Sequence, residues 1–235
     1  MHKFNKHINI IFLGCLSFCA CKDTPARDII NIEPLPHDTL VDNPSAGVIT
    51  VPGATLNRVA WQKPEKILHR LGADLHHKVI ADIGAGPTGF FTFWAAKNGA
   101  QVIAIDISSD ALRYIEIEKS HTDSTIHDLI HTRLAKPQDP GLKKDEVDGV
   151  LIVNTVAFIP DKQKYFNNLH SSLKDGGKLV IVDFKMKRLP DQIAPPKSQR
   201  VYADVIEELL YKTGYHNVKV DDQELEYQYI ISADR

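Results

Sequence analysis

Three glycines and two aspartates are the residues in this chain best placed to hold a small charged ligand. Gly84, Gly86 and Gly89 stand in the spacing G-x-G-x-x-G, Asp82 lies two residues before the first, and Asp106 follows 17 residues after the last. Glycines at this spacing let the backbone turn tightly and approach a ligand closely. A helix that starts at such a turn offers unpaired N–H groups and a partial positive charge. An acid at the end of the following strand suits hydrogen bonds from ribose hydroxyls. The chemistry implied is capture of a nucleoside-containing ligand, weighed against an ordinary αβ crossover with no ligand.

The elements that must position these residues can be read on either side of them. Val79–Ile83 is a short apolar run, as expected of a strand covered on both faces. Thr88 is expected to cap the helix that follows, with Phe90, Phe91, Trp94 and Ala95 facing the sheet. Gln101–Asp106 is a second apolar strand ending in its acid. Strand, turn, helix, strand and acid make one complete mononucleotide-binding half.

Asp82 discriminates between nucleosides. A dinucleotide would set its pyrophosphate beside the turn, and a carboxylate there would repel about two negative charges. S-adenosyl-L-methionine carries an ammonium, a sulfonium and a single carboxylate, so an acid at that position is favourable. The alternative is that Asp82 only ties the N–H groups of its own loop. A nicotinamide-dependent reductase fits the glycines and Asp106 equally well but needs a Tyr and a Lys at Y-x-x-x-K spacing on one helix. The single match, Tyr215 to Lys219, follows the helix-ending Gly214 and falls at a strand start.

The 235 residues, 43% hydrophobic and 25% charged, suffice for one α/β domain plus a tail. A net charge of −2 without a basic stripe argues against nucleic acid as a partner. The eleven histidines are scattered, and no metal-ligand spacing is present, so no metal site is expected.

All three cysteines, Cys15, Cys19 and Cys21, fall near the N-terminus. Lys3 and Lys6 precede a mostly apolar core, Ile8 to Phe18, which is too short to span a bilayer of about 30 Å but suits a secretory signal. Phe18-Cys19-Ala20-Cys21 resembles a bacterial lipoprotein processing box, with Phe18 where leucine is usual; a cut before Cys15 is the weaker option. The resulting division is a signal peptide over 1–20, a proline-rich tether over 21–57 (Pro25, Pro34, Pro36, Pro44 and Pro52) and a domain over 58–235. That organisation implies a chain anchored to a membrane through a lipidated Cys21 on the periplasmic or outer-membrane side, or a cytoplasmic one if the N-terminus is unprocessed.

Within the domain, one helix is expected from Arg58 to about Leu71, with Pro64 in its first turn and Trp61 as a packing residue. Ser108 or Ser109 caps a helix to about Glu118, and a third strand falls near 129–134. Lys136–Leu142 is a turn-rich loop whose Asp139 is either an adenine contact or a turn residue. A fourth strand runs over Val147–Asn154, a helix over Lys162–Leu173, and a fifth strand over Lys178–Phe184. An amphipathic helix over Val201–Thr213, with Val205, Leu209 and Leu210 inward, precedes two last strands, 218–220 and 227–231. The fold class is α/β, a Rossmann-like, doubly wound, seven-stranded sheet, mostly parallel with its last strand antiparallel.

D-I-G-A-G at 82–86 resembles the first motif of class I S-adenosylmethionine-dependent methyltransferases. W-Q-K-P at 61–64, A-I-D-I at 104–107, Q-D-P-G-L at 138–142, L-I-V-N-T at 151–155 and L-K-D-G-G-K-L-V-I-V-D-F-K at 173–185 follow in the order of a bacterial, lipoprotein-type group of that family. The resemblance implies that Asp82, Gly84, Ala85, Gly86 and Gly89 hold the methionine end of S-adenosyl-L-methionine. It puts Asp106 and Ile107 at the ribose, Asp139 at the adenine edge and Asn154 near the methyl group. Two departures stand out: Pro87 is inserted where the family loop reads G-x-G-T-G, and Val156-Ala157-Phe158 stands where relatives carry aromatic and histidine residues. The implied activity is methyl transfer to a small-molecule or lipid-like acceptor, with no catalytic residue assigned; Asp183 and Lys185 are possible acceptor-side groups, weighed against surface charge. The rival outside catalysis is a membrane-tethered binding protein on a decayed methyltransferase fold.

Overall fold

The structure, a computed structural model, describes residues 48–51 and 54–235, with side chains from Arg58 onward. The cysteines and the expected processing site lie outside the described residues. Strands β1 (Val48–Val51) and β2 (Ala54–Asn57) pair antiparallel, within the stretch expected as a tether. Among the described residues, no helix is long and apolar enough to cross a membrane.

The expected single helix after residue 57 is two. Helix α1 (Arg58–Gln62) stops at Lys63, and α2 (Pro64–His69) begins on Pro64. The cause is local: the residue before a proline is pushed out of the α region, and proline favours the first helical position. Lys63 takes a left-handed conformation (φ 46°), and the chain turns there.

The main sheet is built from β3 (Val79–Ile83), β4 (Gln101–Asp106), β5 (Ile130–Leu134), β6 (Val147–Val153), β7 (Leu173–Phe184), β8 (His216–Asp221) and β9 (Gln228–Asp234). Their order is β5-β4-β3-β6-β7-β9-β8. The first five pair parallel, and β9 runs antiparallel to both neighbours. The expected fold class holds. β7 starts earlier than expected because Leu173 pairs with Val147 before the register shifts; regular pairing begins at Lys178. The order reverses between β3 and β6, and ligands of open α/β sheets lie at the carboxyl ends of strands around such a switch point.

Each sheet face has its own core. Helices α6 (Lys162–Ser172) and α7 (Ala203–Lys212) cover one face through Tyr165, Phe166, Leu169, Ile206 and Leu210. On α7, Ile206 is the inward residue and Val205 is exposed, a correction to the expected face. Helices α2, α3 (Phe90–Lys97) and α4 (Ser109–Ser120) cover the other face through Ile67, Leu68, Phe91, Ala95, Leu112 and Ile115, and the one-turn α5 (Ser124–His127) follows α4. Ser108 caps α4 by accepting from the Ala111 N–H at 3.2 Å. Side chains alternate along a strand. Ile80 and therefore Asp82 face α3, whereas Ala81 and Ile83 face the α6/α7 core.

Candidate functional site

The glycine turn connects β3 to α3 at the switch point. Gly84, Gly86 and Gly89 all have positive φ (73°, 67° and 53°), a region that L side chains disfavour. Gly89, not Thr88, occupies the N-cap of α3; it is left-handed, and Thr88 is exposed without capping. A Cβ on Gly84 would stand 2.3 Å from Thr155 Oγ1, so that position excludes any side chain. A Cβ on Gly86 would meet nothing within 4 Å: the turn faces open space there.

Asp106 fastens this turn to the end of β4. Its Oδ2 accepts from the Gly86 N–H and its Oδ1 from the Ser108 N–H, both at 2.9 Å. Ile105 O accepts from the N–H groups of Gly84 and Ala85. Each carboxylate oxygen of Asp106 keeps a second lone pair for a hydroxyl. Ile107, beside Asp106, and Leu134, its partner across β5, are large apolar side chains left about 60% exposed (62% and 60%). They flank the acid with apolar surface suited to a planar base, and Leu134 was not anticipated from the sequence.

Asp82 is buried, 3% exposed. Its Oδ2 accepts from Thr92 Oγ1 at 2.7 Å, so it ties helix α3 rather than the loop's own N–H groups. Burial pushes its carboxyl up to about 6; the Thr92 hydroxyl and the Arg58 guanidinium pull the other way. Arg58 is drawn down to about 10 by its own burial, against the pull of Asp82. Its Cζ lies 4.2 Å from the centroid of the Phe90 ring, a cation–π arrangement. Phe90 is half-buried against the core on that sheet face, as expected, and also supports Arg58.

From Arg58 a line of amides leads to the end of β6. Arg58 Nε donates to Gln62 Oε1 at 2.5 Å, Gln62 Nε2 to Gln228 Oε1 at 2.9 Å, and Gln228 Nε2 to Asn154 Oδ1. Both glutamines are fully buried. Asn154 follows β6 with φ 56°, a strained conformation for a residue with a side chain. Arg58, Gln62, Thr92 and Gln228 were not singled out in the sequence. The available signal was a lone polar residue in each apolar run: Trp61-Gln62, Phe91-Thr92-Phe93 and Tyr227-Gln228-Tyr229.

Other candidates fall elsewhere. Asp139 is exposed, and its Oδ1 accepts from the Gly141 N–H at 2.8 Å, a turn contact; no hydrogen bond joins it to the glycine turn. Lys185 Nζ donates to the carbonyls of Asp222, Leu225 and Glu226, fixing the loop between β8 and β9. Trp61 packs near Phe184 and Tyr227 at centroid distances of 6.4 and 6.0 Å, as a packing residue. Tyr215 is buried and donates to Phe166 O, whereas Lys219 is exposed on β8; the two form no Tyr/Lys pair. Asp183, on the α6/α7 face at the end of β7, is buried, with one carboxylate oxygen lacking any partner and its carboxyl pushed up to about 6 by burial.

Sheet order and glycine turn together define a Rossmann-like methyltransferase fold. The family described as "Methyltransferase domain" matches residues 81–181. Phosphoethanolamine N-methyltransferase 2 of Caenorhabditis elegans is 28% identical over 178 residues, covering 72% of this chain and 40% of that protein. The chain spans less than half the length of the curated relatives it matches, 40% and 46%. A SAM-dependent methyltransferase from Aquifex aeolicus superposes with a TM-score of 0.66 at 20% identity, over 75% of this chain and 92% of that one. Phosphoethanolamine N-methyltransferase 2 of Haemonchus contortus, in complex with phosphomonomethylethanolamine and S-adenosylhomocysteine, superposes with a TM-score of 0.58 at 17% identity, over 74% and 52%.

Proposed function

We propose that the chain is an S-adenosyl-L-methionine-dependent methyltransferase acting on a small-molecule or membrane-associated acceptor. The observation that carries this reading is Asp82, a buried carboxylate at the head of a glycine turn open at Gly86, with the Arg58 guanidinium near enough to act on its charge. A ligand with an ammonium and a carboxylate on one carbon matches such a pair, and charge-assisted hydrogen bonds make the match worth roughly 1.5–3 kcal/mol per contact. A pyrophosphate matches Arg58 but not Asp82.

The groups present fit S-adenosyl-L-methionine throughout. Arg58 holds the carboxylate, Asp82 the ammonium through its outer lone pairs, Asp106 the ribose hydroxyls, and Ile107 with Leu134 the adenine faces. Bound there, the cofactor supplies a methyl group on a sulfonium. The protein's own contribution is alignment of the acceptor with that methyl and exclusion of water. No general base is required when the acceptor is already nucleophilic, which accords with the absence of titratable groups in Val156-Ala157-Phe158. The relatives named for phosphoethanolamine support a small, polar acceptor.

The N-terminal sequence supports placing this activity at a membrane surface through an acylated Cys21. Labelling with a palmitate analogue in a bacterial host, lost in Cys21→Ser, tests the anchor. Binding of S-adenosylhomocysteine with no binding of NADH tests the cofactor. Failure to bind either supports the decayed scaffold instead.

A further inference from the structure

The line of amides between Arg58 and Asn154 has a fixed polarity. An arginine side chain has five donors and no acceptor. Its bond to Gln62 therefore requires the carbonyl oxygen of that amide, which turns Gln62 Nε2 toward Gln228. Gln228 then accepts on its oxygen and donates from Nε2 to Asn154 Oδ1. Amide orientation is ordinarily ambiguous, but a cation at one end removes the choice at each link. Each bond also polarises the next.

The line ends on Asn154 Nδ2, which has no hydrogen-bond partner among the described residues. It is not a buried orphan either: among the described residues, the buried side-chain atom without a partner belongs to Asp183. Asn154 is half-buried at the carboxyl end of β6, and its neighbour Thr155 packs on Gly84 of the turn. Its left-handed backbone donates its N–H to Val182 O at 2.9 Å, and its side chain accepts from Gln228 Nε2. The terminus of the relay is thus a positioned N–H donor at the rim, beside the glycine turn.

We infer that Asn154 is a specificity-determining donor for the methyl acceptor, and that it selects an acceptor presenting a carbonyl, carboxylate, phosphate or other anionic oxygen. This rests on the cofactor reading above. An ammonium-bearing group would meet a donor and be rejected, since a site built for one hydrogen-bond polarity leaves the opposite one unpaired. The cofactor's own carboxylate is the competing source of an oxygen, but it is met by Arg58 at the opposite end of the relay.

The test is a titration of the full chain labelled with 15N, following the Asn154 side-chain amide, identified by its loss in Asn154→Asp. With S-adenosylhomocysteine saturating, acetate is expected to move that resonance downfield saturably, and ethylammonium to leave it in place. In Asn154→Asp, which lacks that resonance, the backbone amides around residue 154 are the readout, and they are expected to stop responding to acetate and to respond to ethylammonium. Gln228→Glu accepts from both neighbours, so it reverses Asn154 and is expected to lose the acetate response too. The inference is overturned if acetate leaves the wild-type resonance unmoved, if ethylammonium moves it equally, or if a folded Gln228→Glu still responds to acetate. It is also overturned if S-adenosylhomocysteine alone moves the resonance and blocks acetate, because the donor then serves the cofactor. Should S-adenosylhomocysteine not bind, the cofactor reading fails separately, and the acetate response of the ligand-free chain decides the donor. Should Gln228→Glu not fold, the Asn154→Asp comparison decides.

Discussion

Thr92 Oγ1 donates to Asp82 Oδ2 across 2.7 Å, both side chains buried between β3 and α3. A carboxylate in that position is costly to the fold, and the Thr92 hydroxyl and N–H and the charge of Arg58 offset part of that cost. Removing the hydroxyl leaves an acceptor with less compensation than its burial demands. Thr92→Val is expected to destabilise the domain by about 1–3 kcal/mol at pH 7.5. Urea unfolding followed by circular dichroism measures it; a change below experimental error would show that the hydroxyl contributes nothing.

Asp82→Asn is expected to act with opposite signs on stability and binding. The folded carboxyl titrates near 6, above its ordinary value of 3.8, so the folded state holds its proton more tightly than the unfolded one. Stability from this group is full below about pH 4 and is lost as pH rises through 6. The shift corresponds to at most about 3 kcal/mol. Asp82→Asn is therefore expected to be more stable than wild type at pH 8 by about 1–3 kcal/mol, with no gain at pH 4, while affinity for S-adenosylhomocysteine falls roughly 10- to 100-fold. Equal loss of both properties would assign Asp82 to the fold alone.

Gly84 and Gly86 separate packing from ligand access. A Cβ at Gly84 collides with Thr155, whereas one at Gly86 meets only open space. Both substitutions to alanine carry a left-handed backbone cost of about 1–2 kcal/mol. Gly84→Ala is expected to lose more than that and to recover partly in combination with Thr155→Ala. Gly86→Ala is expected to stay near that cost while S-adenosylhomocysteine binding weakens. Thermal unfolding and calorimetry on the same samples make the comparison.

Asp183 carries the same sign of pH dependence by a different route. Its buried Oδ2 has no partner, and burial raises its carboxyl to about 6. Asp183→Asn is expected to flatten the decline in stability between about pH 4 and 6.5 relative to wild type. An unchanged profile in urea titrations across that range would exclude Asp183 as a contributor.

Much of this architecture was legible because hydrophobic period and glycine punctuation dominate it. β3, β4 and β6 read as mostly apolar runs because helices bury both their faces, and the acid ending β4 falls where the turn needs an anchor. The break at Lys63 is hard to read because Pro64 suits the first turn of a helix, while its effect on the preceding residue ends another. Thr88 was expected to cap α3 from residue type, but Gly89 alone tolerates the left-handed entry. Arg58 and Gln228 lie 170 residues apart and meet Asn154 only through tertiary packing, so no local pattern marks them as one relay. Its trace in the sequence is a lone polar residue beside aromatic neighbours, Gln62 after Trp61 and Gln228 between Tyr227 and Tyr229.

The most direct test is a calorimetric titration of the full chain at pH 7.5 with S-adenosylhomocysteine and, separately, with NADH. Saturable one-to-one binding of S-adenosylhomocysteine, weakened in Arg58→Ala and Asp82→Asn and absent for NADH, is the expected result. Binding of NADH, or S-adenosylhomocysteine affinity indifferent to both Arg58 and Asp82, would contradict the account.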